Sequence, residues 1–321
     1  MRLKNTLRRG VAAAVIAGIV VTSGLPVYAK TWDISEGSIT VEADGEEDGK
    51  SYNKVTQGDK ETVRDTDTVI TGKSEKNTVT IKSGGGGQTS DVTLKDVSIK
   101  SDKDAALKVE GDGNVRLELD GKNELTGGNS GDFGTRGITS DKGKLTIQGK
   151  EGSSLSATGG SGTKGGSFGI CTTSGKLDLV NATVTATSGF GGGSGISADD
   201  VVNIKNSKLT AKGGGQLHPG EDTSTGGGTG ISLFVKGKLV VGEGSEVIAI
   251  GGDDKTVKRS AWGGAALRFY GTGVGCGYEV QKGGKLTAIG GNAESESGDA
   301  EGGNALWGEY GGIVSAGETT L

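Results

Sequence analysis

The sequence predicts an all-β fold in which one chain winds as a right-handed parallel β-helix with about three strands per coil. A recurring unit, columns of apolar residues and an unusual glycine content carry that prediction. The unit recurs as KLTIQGKEGSSLSATGG from Lys144 to Gly160, KLDLVNATVTATSG from Lys176 to Gly189 and VVNIKNSKLTAKGG from Val201 to Gly214. It returns as KLVVGEGSEVIAIGG from Lys238 to Gly252 and GYEVQKGGKLTAIGG from Gly277 to Gly291. A unit too small to bury its own apolar face must stack on copies of itself.

Aligning the units sets apolar residues over one another with polar residues between them. One column reads Leu145, Leu177, Val202, Leu239 and Tyr278, and two residues on follow Ile147, Leu179, Ile204, Val241 and Val280. A second pair reads Leu155, Val184, Leu209, Val247 and Leu286, then Ala157, Ala186, Ala211, Ala249 and Ala288. Alternation with period two belongs to a strand with one buried face, so Thr146, Asp178, Asn203, Thr185, Thr210 and Thr287 are expected to face water.

A further strand opens each unit, at Ala106-Leu107, Gly137-Ile138, Gly169-Ile170, Gly195-Ile196, Gly230-Ile231, Ala266-Leu267 and Ala305-Leu306. Roughly thirty residues separate these openings, the size of one solenoid turn. With 65 Gly, 2 Pro and 4% aromatic residues the chain cannot build a core on large side chains. A solenoid tolerates this because each coil extends its neighbour's narrow core, and glycine is expected at corners needing positive φ.

Residues 1–29 read as a signal peptide. Arg2, Lys4, Arg8 and Arg9 form a basic start, Val11 to Val21 an apolar stretch, and Val27-Tyr28-Ala29 a small-residue cleavage site before Lys30. The expectation is a secreted or cell-surface protein with no membrane span after cleavage. A net charge of −5, more negative once the basic leader is gone, argues against nucleic acid or an anionic membrane as partner. Residues 30–91 are expected to form N-terminal strands and a cap, and residues 92–321 the repeats, with the last coil incomplete.

Cys171 and Cys276 are the only cysteines. The repeat sets them three coils apart, and three steps of about 4.8 Å exceed the ~7 Å Cα limit of a disulfide, so both are expected as free thiols.

Strand cadence, signal peptide and the Gly-Ile anchors together resemble the exported parallel β-helix proteins of Gram-positive, often gut, bacteria described as carbohydrate-binding. The similarity covers most of the mature chain. It implies binding of a polysaccharide, acidic in some cases and with calcium, but no residue-level motif carries over.

Chemistry is expected in the loops. The long insertions, Gly159 to Phe168, Ser188 to Ser194, Gly213 to Thr229, Gly251 to Ala265 and Gly290 to Asn304, all fall at one corner, where a solenoid places its contact surface. Phe133, Phe168, Phe190 and Trp262 precede opening strands and are expected either to stack on sugar rings or to pin the loops. Asp253, Asp254, Glu294, Glu296, Asp299 and Glu301, with Glu221 and Asp222, are the carboxylates available to calcium, which takes six to eight oxygen ligands. Asp65 and Asp67 begin like a calcium loop, but Val69 and Ile70 occupy the next ligand and glycine positions.

Enzyme readings have less behind them. A catalytic triad would rest on His218, the single histidine, with no serine elbow near it. GEEDGKS at Gly45 to Ser51 falls one residue short of a phosphate loop, and GTGVGCG at Gly271 to Gly277 lacks the helix a dinucleotide loop needs. A polysaccharide lyase or hydrolase needs converging carboxylates and a base, and Lys255, Lys258 and Arg259 beside Asp253 and Asp254 come nearest. The expected function is therefore non-catalytic polysaccharide or glycan binding. An adhesin or envelope protein with a protein partner is the alternative. Open strand edges after Trp307 and Tyr310, which could act as an aromatic cap, suggest end-to-end self-association.

Overall fold

The computed structural model describes residues 27–47, 50–85, 87–162, 165–218, 226–257, 259–271, 276–308 and 318–320. Regular structure among them is almost entirely strand, with one 3-10 turn at Ile34–Glu36, and the chain winds as a parallel β-helix. No helix among the described residues is long and apolar enough to cross a membrane.

From Leu107 every coil is written in one order. An opening strand (Leu107–Glu110, Ile138–Ser140, Ile170–Thr172, Ile196–Ala198, Ile231–Leu233, Leu267–Phe269, Leu306–Gly308) leads to a middle strand. The middle strands are Asn114–Asp120, Lys144–Gly149, Lys176–Val180, Val202–Lys205, Lys238–Val241 and Gly277–Val280. A third strand follows, at Lys122–Thr126, Ser154–Thr158, Thr183–Thr187, Lys208–Lys212, Glu246–Ile250 and Lys285–Ile289. Each pairs in parallel with its counterpart in the next coil, which gives three faces around one core.

The register matches the sequence columns residue for residue. Leu145 pairs with Leu177, Leu177 with Val202, Val202 with Leu239 and Leu239 with Tyr278. The Leu155 and Ala157 columns run unbroken to Leu286 and Ala288. These side chains are buried, so every coil covers the apolar face of the one before it.

The corner between middle and third strands turns through left-handed residues, Asn181 (φ 51), Asn206 (φ 47) and Gly244 (φ 69). Asn can adopt this conformation because its short amide bonds locally. Here the Asn206 amide donates to Asn181 Oδ1 at 2.8 Å, from one coil to the next. Inside the same corner, Ser207 Oγ accepts from Ala182 N at 3.0 Å, and Ser245 Oγ donates to Ile204 O at 3.0 Å.

Parallel winding starts well before residue 92. Thr31–Asp33 pairs with Thr68–Ser74, which pairs with Thr89–Lys100, and Ile39–Glu47 pairs with Val79–Lys82. Two features hide these coils in the sequence. In Thr68–Ser74 and Thr89–Lys100 the middle and third strands fuse into one bent strand, so the pair of short strands that marks later units is not written separately. An antiparallel excursion, Lys50–Gln57 followed by Val63–Asp65, also interrupts the cadence. Gly45 lies on Ile39–Glu47, the first strand of that antiparallel pairing, at a register shift opposite Tyr52. At the other end, Glu318–Thr320 adds a rung to the third face by pairing with Lys285–Thr287, and Tyr310 lies outside the described residues.

Positive φ explains only part of the glycine content. At the insertion corner the chain leaving one third strand and the chain entering the next opening strand alternate in a backbone zipper. Gly228 N donates to Gly214 O at 2.8 Å, Gly252 N to Gly228 O at 2.7 Å and Gly264 N to Gly252 O at 2.8 Å. Gly291 N then donates to Gly264 O at 2.9 Å and Gly303 N to Gly291 O at 2.8 Å. A Cβ on Gly252 would stand 2.1 Å from Gly214 O, so these glycines are set by close backbone approach. The zipper pinches the base of each insertion and closes the core beneath it.

Candidate functional site

The insertions stack on one another as the coils do. Gln216–His218, Asp254–Thr256 and Ala293–Ser295 form a parallel sheet outside the solenoid, and Ala261–Trp262 pairs with Ala300–Glu301. They rise beside the opening face, whose outward column runs Lys108, Thr139, Cys171, Ser197, Ser232, Arg268 and Trp307. Between wall and face lies a groove of about 760 Å³.

Six aromatic side chains and a bed of glycine line this groove. Of the five Phe, five Tyr and three Trp in the chain, Phe133, Phe168, Phe234, Trp262, Tyr270 and Trp307 line it. Phe234 and Tyr270, one coil apart, stack face to face with centroids 4.3 Å apart and planes 3° apart. The Arg268 guanidinium lies 4.5 Å from the Tyr270 ring centre and 4.1 Å from that of Trp307. Its Nε is buried with no hydrogen-bond partner. Gln216, Glu301 and Asn304 add polar groups to the lining.

Of the four rings singled out from sequence, Phe133, Phe168 and Trp262 reach the groove. Phe190 stands nearby, 49% exposed, outside its lining. Phe133 is 59% exposed and Trp262 42%, so neither serves as a buried pin for its loop. Phe168 is half-buried, with the Arg136 guanidinium 5.8 Å from its ring centre. Sequence reasoning missed Phe234, Tyr270 and Arg268 as site residues and took Trp307 for a cap. The available signal was their place at or just past the opening strand in successive coils, where the columns put them side by side.

The six carboxylates considered for calcium do not converge, and among the described residues no group of three or more His, Cys, Asp or Glu side chains is placed to hold a metal ion. Asp254 is buried and engaged by Arg259, whose two terminal nitrogens each approach a carboxylate oxygen at 3.3 Å. Its Oδ2 also accepts from Trp262 N at 2.9 Å. Asp254 thus fixes the Trp262 backbone at the groove edge, with the Arg259 guanidinium as its counter-charge. Asp253 accepts from Asn292 N at 2.8 Å, and Glu294 pairs with Lys255 at 2.5 Å. Glu296, Asp299 and Glu301 are exposed along the wall. Asp65 is buried against Trp32. Glu221, Asp222, Lys258 and the His218 side chain lie outside what the structure describes.

Both cysteines are free and buried. Burial pushes the Cys171 thiol above its ordinary range, with Arg136 acting against that rise.

Comparisons with protein families, with characterised proteins and with solved structures found no match to this chain.

Proposed function

We propose that this is a secreted or cell-surface protein that binds polysaccharide without transforming it, and that the aromatic groove beside the opening face is where the glycan lies. The single observation that carries the reading is the gathering of six rings along one groove in a chain so poor in aromatics. Sugar rings present apolar C–H faces that pack on aromatic faces, while their hydroxyls need hydrogen-bonding groups at the rim. The groove supplies both, the second through Gln216, Glu301 and Asn304.

Arg268 favours a sugar carrying a carboxylate or sulfate. Its flanking rings hold the guanidinium in place while no side chain among the described residues neutralises it, so an anionic substituent would complete the pair. Hydrolysis by the usual routes needs two carboxylates about the scissile bond, and among the described residues Glu301 is the one carboxylate in the lining. That composition supports holding a chain over cutting it.

The experiment is a binding screen of the exported protein against neutral, uronate and sulfated polysaccharides, with and without calcium and chelator. Retention of acidic glycans that weakens in Trp262→Ala and Arg268→Ala is the expected result. Absence of binding to every glycan, or binding indifferent to both substitutions, refutes the assignment. Calcium-dependent binding that ignores Arg268 would move recognition to a metal site.

A further inference from the structure

At the opposite end of the molecule from the aromatic groove's last rung, a buried carboxylate waits at the bond where the leader is expected to be cut. Asp65 has no exposed surface. It accepts from Trp32 Nε1 at 2.6 Å, from Asp67 N at 3.1 Å and from Lys30 N at 3.3 Å. All of these donors are neutral in the uncut chain. Burying a carboxylate on neutral donors alone is costly, because ionised groups in a protein interior are normally matched by a cation.

The charged groups nearby are otherwise occupied. Arg64, the next residue, turns its Nε to Asp44 at 2.9 Å and lays its guanidinium over Tyr52 at 4.2 Å. Lys54 also binds Asp44, at 2.6 Å. The Lys30 side-chain ammonium sits over the Trp32 ring, 4.0 Å from its centre. The atom that points at Asp65 is the Lys30 backbone nitrogen, the atom that becomes the chain's first amine if the leader is removed after Ala29.

We propose that the Asp65 carboxylate is the receptor for a new N-terminus, so that leader removal at Ala29–Lys30 creates an ammonium–carboxylate pair locking the first coil. Hydrolysis by a leader peptidase breaks the Ala29 C–Lys30 N bond and consumes one water. It leaves a carboxylate on Ala29 and a protonated amine on Lys30. That amine gains a positive charge and two further N–H donors where a single amide N–H stood before. Thr31–Asp33 then carries the anchored end straight into the stack through its pairing with Val69–Thr71.

The pH behaviour should change sign with cleavage. In the uncut chain burial raises the Asp65 carboxyl above its ordinary value, opposed by the Trp32 and backbone hydrogen bonds. The folded state then favours the protonated acid, and the stability it adds at low pH is lost as pH rises through the raised value. An ammonium at about 3 Å favours the ionised acid instead, so the cut chain should gain relative to the uncut one as pH rises above about 4.

The test starts with N-terminal sequencing of the protein exported from a secreting host, which should read Lys-Thr-Trp-Asp. Its melting temperature at pH 7 should exceed that of a chain retaining Ala29 by about 2 to 4 °C, and the gap should close at pH 3 and in Asp65→Asn. Should Asp65→Asn fold poorly, titration of the Lys30 α-amine by NMR in the unaltered protein decides, with a pKa above the ordinary α-amino range of about 8 expected. A different N-terminus, equal melting temperatures at pH 7 or an ordinary amine titration would overturn the proposal.

Discussion

Arg268 and Trp307 are direct partners in neighbouring rungs of the opening face, and the guanidinium of the first lies 4.1 Å from the ring centre of the second. The contact depends on the coil spacing. Two outward residues about 4.8 Å apart, pointing the same way from parallel strands, can stack without either being buried in the core. A glycan reaching this end of the groove would meet a flat ring and a fixed positive charge at once.

Arg268→Lys therefore separates charge from shape. Lysine keeps the charge but loses the planar stacked geometry, so binding of an acidic glycan should weaken severalfold, and Arg268→Ala should weaken it by about tenfold or more, each tenfold being 1.4 kcal/mol. Neutral glycans should be affected far less. Titration calorimetry with paired uronate and neutral oligosaccharides checks this.

Trp262 owes its place to a pair it does not belong to. Asp254 is fully buried, is held by Arg259 and accepts the Trp262 backbone N–H. Removing one member of a buried ion pair strands the other, at a cost of about 3 to 5 kcal/mol. Arg259→Ala should destabilise the insertion wall by that order and reduce glycan binding with Trp262 still present. Denaturant unfolding together with binding would show both effects, and a variant of unchanged stability would refute this role.

Glycines in the zipper should be far less replaceable than their neighbours. A methyl group on Gly228 would lie 1.9 Å from Gly193 O, whereas on Gly302 its nearest contact is Gly291 O at 3.7 Å. Gly228→Ala should cost at least the 1 to 3 kcal/mol of an overpacked core, and Gly302→Ala should change stability by less than about 0.5 kcal/mol. Chemical denaturation of the two variants gives the comparison.

Thiol chemistry reports on burial at two places, the outward side of the opening face at Cys171 and the core at Cys276. Cys171 is buried on the opening face, with its thiol held up by burial, and Cys276 is buried ahead of the middle strand at Gly277. Neither should react readily with a disulfide reagent at pH 8 in the folded protein, and both should react once it is unfolded. Rapid labelling of the native chain would contradict the burial.

The core was legible in the sequence because period two and a repeated unit leave each inward position its own column. Leu145 over Leu177 over Val202 follows from nothing more than aligned units. The N-terminal coils were not legible, since the bends at Gly72 and Asp96 sit inside continuous strands and do not divide them into the two short strands of the later units. The site was half legible. Insertions at one corner pointed to the edge where the groove lies and to Phe133, Phe168 and Trp262 in its lining. Phe234, Tyr270 and Arg268 escaped because their partnership runs across coils separated by variable loops. The acidic residues misled for a different reason: charge density in a loop does not reveal that Asp254 already has an arginine.

The central claim, that a glycan occupies the aromatic groove, is tested most directly by tryptophan fluorescence during titration with an acidic oligosaccharide. Trp262 and Trp307 line the groove while Trp32 is buried near Asp65. A saturable change in emission that is reduced in Trp262→Ala, reduced in Trp307→Ala and lost when both are replaced is the predicted result. Saturable binding with the full signal retained in the double variant would place the glycan elsewhere and contradict the account.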